Sequence, residues 1–379
     1  MQPRRNGRPS VARGVPQILA TAAAVSLFLA VDGPYLLTQG GWAAHYTFSA
    51  RPIEDLRDSG ALDGQARDLF DRVSRIRRFA VDELGLAESE SYTTYIDVDR
   101  DYLVDVVSAA AELSFKRRTW SYPILGDLPY KGFYEHEDAI AEAHRLSGEG
   151  YDTLVRKVDA YSSLGIVPDP LYSFMRDYSE YRLAELIIHE LAHATVFVPG
   201  EGSFNEGFAS FVGEEGALAY IRSQYGAASP EYLEIVRRQR DRRVFAGFIT
   251  SLRNRLVRLY ESDVPADEKK REKQRIISEN LAALERYADR WFYTDAYDWF
   301  AGAEVDNALI DLYATYDVGI EGGYGEKTSP FEAAYRRLGR SIPALVEATR
   351  EAAGRDAPTG ALEAIESIKK RDMKNLLST

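Results

Sequence analysis

The feature that most constrains this chain is the stretch at residues 187–195, which reads Ile-Ile-His-Glu-Leu-Ala-His-Ala-Thr. An α-helix repeats every 3.6 residues, so His189 and His193 project from one face of a helix, one turn apart. Both imidazoles can therefore reach one tetrahedral metal ion, while Glu190 is placed to meet a metal-bound water rather than to ligate. Because the chain holds only five histidines, this spacing predicts a metal-binding helix rather than two surface histidines on an ordinary helix.

The composition limits which donors such a metal site can use. Cysteine is absent from the 379 residues, which excludes disulfides, a thiol nucleophile and thiolate ligands. The net charge of −12 argues against nucleic acid as the main partner. The apolar fraction of 45% is enough to build the core of one large domain or two modest ones. A metal site in this chain must therefore use nitrogen and oxygen donors.

A zinc peptidase site needs a third protein ligand and an open fourth position for water. No histidine follows the motif, so the third ligand is expected to be a carboxylate. Glu206 is the best candidate, because one short loop at Pro199 and Gly200 can fold the next helix back toward the metal. Asn205 beside it is expected to cap that helix. Two rival acids lie about two turns further along: Glu214 and Glu215.

The amino terminus has the pattern of an export or anchor segment. Residues 1–14 form a basic arm with four arginines and no acid, and an apolar run follows at residues 15–31. A basic arm before an apolar run is typical of export signals, and the basic flank stays in the cytoplasm. Because a small-x-small cleavage site is poor here, a retained transmembrane anchor is favoured over a cleaved signal. Either alternative places the catalytic part in the cell envelope, anchored to the inner membrane or exported to the periplasm.

Residue periodicity predicts an α+β, mostly helical fold with a helical C-terminal half. Helical spacing predicts helices at residues 62–84, 137–146, 151–162, 172–197, 203 onward, 231–260, 266–292, 306–316 and 331–353. β-branched and aromatic residues predict a hairpin of strands at 92–98 and 102–107, with a third strand at 119–124. A small antiparallel sheet is thus expected ahead of the motif helix. One domain is predicted at residues 45–353, followed by a tail at 354–379.

The motif and the segment Asn-Glu-Gly-Phe-Ala-Ser at residues 205–210 resemble the paired zinc motifs of aminopeptidase-N-type gluzincins. In that family the two histidines of HELAH and the glutamate of NEGFA bind zinc. The resemblance carries these roles to His189, His193 and Glu206, and the role of catalytic base to Glu190. The chain departs from that family in its shorter spacer and in lacking the GxMEN segment that recognises a free amino terminus.

A closer resemblance is to a bacterial family of predicted aminopeptidases that are exported or lipid-anchored. It rests on residues 92–107, 120–134, 160–165, 169–170, 183–216 and 306–316. The resemblance implies a gluzincin-like zinc metallopeptidase, an aminopeptidase that hydrolyses peptide bonds with a zinc-activated water and Glu190 as general base. It also implies a residue that stabilises the oxyanion, for which Tyr316 is the candidate and Tyr313 the second choice. Family members often carry a lipobox cysteine, and its absence here supports a protein anchor.

Two other functions stay open on the sequence. An envelope endopeptidase would share the site but would not need to bind a free amino terminus. A binding protein could keep zinc without turnover, although such a site would not need Glu190. The expected partners are a peptide substrate and, through the anchor at residues 15–31, a membrane.

Overall fold

A computed structural model of the chain describes residues 33–60, 62–122, 126–158, 168–314 and 329–355. The chain divides into two compact units, Met1–Ala50 and Arg51–Thr379. The described part of the first unit is the helix α1 (Gly33–Ser49), which contains no Asp, Glu, Lys or Arg. The rings of Trp42 and Tyr46 stack within it, with centroids 5.9 Å apart.

Several predicted segments lie outside the described residues. They are the basic arm at 1–14, the apolar run at 15–31, and the part of the tail that begins at 356. Among the helices that the structure describes, none has the length and apolar character needed to cross a bilayer.

The second unit combines short strands with long helices. Its strands are β1 (Arg51–Pro52), β2 (Thr94–Ile96), β3 (Val104–Ala111), β4 (Trp120–Tyr122), β5 (Gly126–Leu128), β6 (Lys131–Phe133), β7 (Tyr151–Val158) and β8 (Leu171–Tyr172). Its α-helices are α2 (Ile53–Asp58), α3 (Gly64–Asp82), α4 (His136–Gly148), α5 (Glu180–Thr195), α6 (Gly202–Tyr225), α7 (Pro230–Tyr260), α8 (Ala266–Trp291), α9 (Asp298–Ala301), α10 (Asn307–Leu312), α11 (Pro330–Arg337) and α12 (Ile342–Arg355). The predicted mostly helical α+β class and the helical C-terminal half are confirmed.

The described strands form three small sheets, with strand orders β1-β2-β8, β6-β3-β7 and β4-β5. In the second sheet, β3 pairs antiparallel with β7 from Val104 opposite Val158 to Ala111 opposite Tyr151. This sheet confirms the antiparallel sheet expected ahead of the motif helix. In the first sheet, β2 runs parallel to β8, which follows it by many residues.

Two predicted local elements are wrong. The strands expected to form a hairpin, at 92–98 and 102–107, belong to different sheets. Residues 151–158 form the strand β7 instead of the start of a helix. Both corrections have one cause, which is that β3 pairs with β7 along its whole length. This long-range pairing overrides the helical propensity of residues 151–158 and the short turn that would have joined the predicted hairpin.

Two predicted helices begin or break at capping residues. The helix expected to start near residue 172 begins at Glu180, because the Ser179 hydroxyl accepts the N–H of its first turn. The helix expected at 331–353 is two helices. Gly339 and Arg340 adopt left-handed φ values of 72° and 60° between them, which ends α11. The predicted helical hairpin at 231–260 and 266–292 is confirmed by α7 and α8.

The core around the motif is built by α5 and α6, which pack along each other. One face of α5 is fully buried, through side chains that include Leu183, Ile187 and Ile188. The next helix, α6, buries an apolar stripe of its own: Phe204, Phe208, Phe211 and Val212. Packing between these two apolar stripes fixes the position of α6 relative to the two histidines on α5.

Candidate metal centre

The amino-terminal end of α5 is fixed by a polar network. Ser179 caps the helix by accepting the Arg182 N–H at 3.2 Å. The first-turn carboxylate of Glu180 accepts a hydrogen bond from Arg72 Nε at 2.7 Å and another from the Tyr220 hydroxyl at 2.9 Å. Since Arg72 lies on α3 and Tyr220 on α6, this carboxylate ties three helices together below the motif.

A two-way hydrogen bond orients the residue that precedes the third candidate ligand. Asn205 is buried, its Oδ1 accepts the Val198 N–H at 2.8 Å, and its Nδ2 donates to the Val198 carbonyl at 2.8 Å. The expected capping role for Asn205 is therefore wrong, because it fastens the loop between the helices instead. Glu206, next along α6, keeps a side chain that is 50% exposed.

Three predicted residues come together at one point between α5 and α6. The Nε2 atoms of His189 and His193 lie 3.1 Å apart. Glu206 places Oε1 3.3 Å from His193 Nε2 and Oε2 3.7 Å from His189 Nε2. Bonds of 2.0–2.1 Å in a tetrahedral zinc site separate neighbouring donors by about 3.3–3.4 Å. The measured spacings are close to the edges of a zinc tetrahedron, with one carboxylate oxygen of Glu206 facing each imidazole ring.

The rival acids and the other histidines of this unit lie elsewhere. Glu214 pairs with Arg242, and Glu215 hydrogen-bonds Tyr335. His136 contacts Asp105, and His144 is exposed on the same helix. Within the residues that the structure describes, His189, His193 and Glu206 form the one group of three or more such donors close enough to share an ion.

The pKa values of the two histidines in the cluster shift in opposite directions. Burial and the neighbouring His193 lower the pKa of His189 to about 4, so its ring is neutral at neutral pH. Burial also lowers the pKa of His193, but the Glu206 carboxylate outweighs it and the net shift is upward. Burial raises the pKa of Glu206, and the contact with His193 outweighs it to give a net decrease.

The candidate base lies directly beside the cluster. Glu190 follows His189 on α5 and is 7% exposed. Its negative charge contributes to raising the pKa of His193 and, after burial, that of Tyr92. A carboxylate so close to the cluster yet largely removed from water can exchange a proton only with groups inside the site.

Of the two candidates for oxyanion stabilisation, only Tyr313 belongs to the described residues. Tyr316 lies outside the described residues, so its role stays a prediction. Tyr313, the second choice, packs its ring against Phe245 and Trp299 at centroid distances of 5.4 Å and 5.8 Å.

Over residues 34–359 the chain matches the protein family described as "Putative aminopeptidase". The chain belongs to this family. No curated protein and no solved structure matches it. The matched range contains both histidines, Glu190 and Glu206, so the cluster is part of the Putative aminopeptidase domain.

Sequence reasoning missed two glycines that set how closely the helices of this family member approach. A Cβ at Gly213 would lie 3.1 Å from both the Glu185 carbonyl oxygen and the His189 Cβ. A Cβ at Gly216 would lie 2.8 Å from a Leu84 methyl group. Glycine in the interior of a long helix costs about 1 kcal/mol relative to alanine, which marks it as a sign of close packing. Gly213 thus lets α6 reach the backbone that carries His189.

Proposed function

We propose that the protein is a zinc-dependent aminopeptidase with a gluzincin-like arrangement of His189, His193 and Glu206 as ligands. The observation that carries this proposal is the spacing of their donor atoms at 3.1 Å, 3.3 Å and 3.7 Å. Membership of the Putative aminopeptidase family supports a peptide substrate. The pattern of residues 1–31 supports a location in the cell envelope, with the first segment as anchor or export signal.

The donor set suits zinc on chemical grounds. Two imidazole nitrogens and one carboxylate are the ligands of a catalytic rather than a closed structural zinc site. His189 is already neutral at neutral pH, so no proton has to leave it before it can bind a metal. Bound zinc would supply a Lewis acid that polarises the scissile carbonyl and makes water more acidic.

Glu190 would carry the proton transfers of the reaction. As general base it accepts a proton from the attacking water, and as general acid it returns a proton to the leaving amine. Its burial supports this role, because a carboxylate shielded from solvent keeps the proton within the site between the two steps. The remaining alternative, a binding protein that holds zinc without turnover, gives no reason for this acid.

The variant Glu190→Gln tests the assignment. It keeps the size of the side chain and all three ligands, so zinc content should match the wild type while kcat falls by about 10²–10⁴-fold. Zinc is measured by mass spectrometry on the purified protein. Wild-type turnover in Glu190→Gln would show that the base is wrongly assigned.

The same helix offers a matched control for that variant. Glu185 lies on α5 one turn before His189, and its carboxylate accepts a hydrogen bond from Arg182 at 3.1 Å. Glu185→Gln makes the same chemical change on the same helix and should cleave as the wild type does. A loss of turnover in both variants would point to a general effect on α5 rather than to a base at Glu190.

A pair of substrates separates the two peptidase alternatives. An aminopeptidase cleaves a peptide with a free α-amine and leaves the same peptide intact after acetylation of its amino terminus. An envelope endopeptidase cleaves both, because it does not bind the terminal ammonium group. Equal rates on the two peptides would therefore replace the aminopeptidase proposal with the endopeptidase one.

A further inference from the structure

The His193 ring carries a buried nitrogen, Nδ1, on the side that faces away from the cluster. Nε2 faces the cluster, whereas Nδ1 is shielded from solvent and makes no hydrogen bond with any residue that the structure describes. The His193 side chain is fully buried. A buried polar group without a partner costs about 1–3 kcal/mol, and metal-binding histidines almost always donate this second N–H to an acceptor.

One chain segment runs along the end of α5 that carries this ring. At its start, the Ala87 N–H donates to the Thr195 hydroxyl at 2.9 Å. At its end, Ser91 and Tyr92 hold Asp169: the Tyr92 N–H donates to the Asp169 carbonyl, and the Asp169 N–H donates to Ser91 Oγ at 3.2 Å. Residues 87–92 therefore connect the carboxyl end of the motif helix to the backbone of Asp169.

The backbone of this segment is strained where it meets Asp169. Tyr92 is 2% exposed and adopts φ = 62°, a left-handed conformation that bulky residues avoid. Such strain persists only where the surrounding structure imposes it, and it is concentrated at functional sites. Asp169 also lies between Pro168 and Pro170, whose fixed φ angles restrict the backbone around it.

The side chain of Asp169 is only partly exposed. Its Oδ2 atom is shielded from solvent. Burial lowers the pKa of His193, and the acids that raise it are Glu206, Glu190 and Asp169. Of these three acids, Glu206 is a candidate ligand and Glu190 is the candidate base. The proposed function assigns no role to the third, Asp169.

We propose that Asp169 is the positioning residue for His193, and that its carboxylate accepts the Nδ1–H of this ring when zinc is bound at Nε2. The inference rests on the proposed function. An acceptor at Nδ1 fixes the tautomer whose Nε2 lone pair is free for the metal, and a negative acceptor makes that lone pair a better donor. It also prevents the ring from rotating away from the cluster.

The test compares zinc affinity in the full chain, by competition with a chelator, for wild type, Asp169→Asn and Asp169→Ala. We expect affinity to fall by about 10-fold in the asparagine variant, whose neutral amide is a weaker acceptor, and by about 100-fold in the alanine variant. Asp97→Asn is the control, since that carboxylate is 80% exposed. Unfolding midpoints of the metal-free proteins show whether each variant is folded.

A second measurement does not depend on the variants being folded. In zinc-loaded wild type labelled with ¹⁵N-histidine, the His193 Nδ1–H proton should appear as a downfield signal that exchanges slowly with water. A signal in fast exchange, or equal zinc affinity in all four proteins, would overturn the inference alone. Wild-type protein that binds no zinc would overturn the proposed function, and the inference with it.

Discussion

Two clusters of polar side chains in this protein each contain buried members and differ in how their atoms are paired. At the junction between β3, β7 and α10, the Asn307 amide donates to the Ala111 carbonyl at 2.9 Å, and its Oδ1 accepts from the Tyr260 hydroxyl at 2.8 Å. Asp152 accepts from both the Asn307 N–H and the Lys273 ammonium. Each donor there meets an acceptor, so the junction needs nothing from outside the chain.

The candidate metal cluster has a different balance. The Nε2 atoms of His189 and His193 face each other, and the two carboxylate oxygens of Glu206 face these rings. Facing lone pairs repel unless a proton or a metal ion lies between them. Burial of polar side chains is therefore common to a structural junction and a functional site. The excess of acceptors at one point is what indicates a ligand.

The largest expected effect is a loss of zinc affinity when the Glu206 carboxylate is removed, which should distinguish the candidate metal cluster from the junction. Glu206→Ala should weaken zinc binding by more than the roughly 100-fold that outer-shell changes cost. Stability of the metal-free protein should change by less than about 1 kcal/mol, because the Glu206 side chain is half exposed and its ion pair is screened by solvent. Isothermal titration with zinc and urea unfolding measure the two quantities.

Glu214→Ala provides the matched control for that experiment. Glu214 lies on the same helix and pairs with Arg242, away from the cluster. Its removal should leave zinc affinity unchanged. If the Glu214 variant lost zinc and the Glu206 variant kept it, the third ligand would be wrongly assigned.

The second prediction concerns the junction, where a substitution should lower stability and leave zinc affinity unchanged. Lys273→Met leaves the Asp152 carboxylate without its buried counter-ion, and Lys273 is only 2% exposed. We expect a loss of about 3–5 kcal/mol in the free energy of unfolding, with zinc affinity unchanged. Lys270→Met, which breaks a surface pair with Glu112, should have little effect. A stability equal to wild type in Lys273→Met would show that the junction is not held by charge pairing.

The convergence of His189, His193 and Glu206 could be predicted from the sequence because the information for it is local. The positions of His189 and His193 follow from helical periodicity, and Glu206 follows from the absence of cysteine and of later histidines. The helical hairpin at 231–260 and 266–292 is predictable for the same reason, since each helix carries its own apolar period.

The parts that could not be predicted depend on residues distant in the chain. Strand pairing is one case: β3 finds its partner in β7, and nothing local to either strand specifies this choice. Asp169 is another, because its backbone is tied to the end of the motif helix through the segment from Ala87 to Tyr92. Gly213 belongs with them, since its role appears only once α6 is packed against His189.

The smallest expected effect comes from a charge beside the junction. Asp306 caps α10 by accepting the Leu309 N–H at 2.9 Å. Burial, with Asp152 nearby, raises its pKa from 3.8 to about 6. The folded state therefore holds the Asp306 proton more tightly than the unfolded state does. The stabilisation from this group is full below the unfolded pKa and is lost as pH rises through the folded pKa.

Asp306→Asn keeps an oxygen for the cap and removes the charge. The variant should exceed wild type by on the order of 1 kcal/mol in unfolding free energy near pH 7, after allowance for solvent screening. The difference should shrink as pH falls below the folded pKa of about 6 and should disappear only well below the unfolded value of 3.8, where Asp306 is protonated in both states; urea unfolding across this range measures it. A difference independent of pH would mean that the charge of Asp306 does not lower the stability of the folded state.

Asp306→Ala, which loses the cap, should be less stable than Asp306→Asn at every pH.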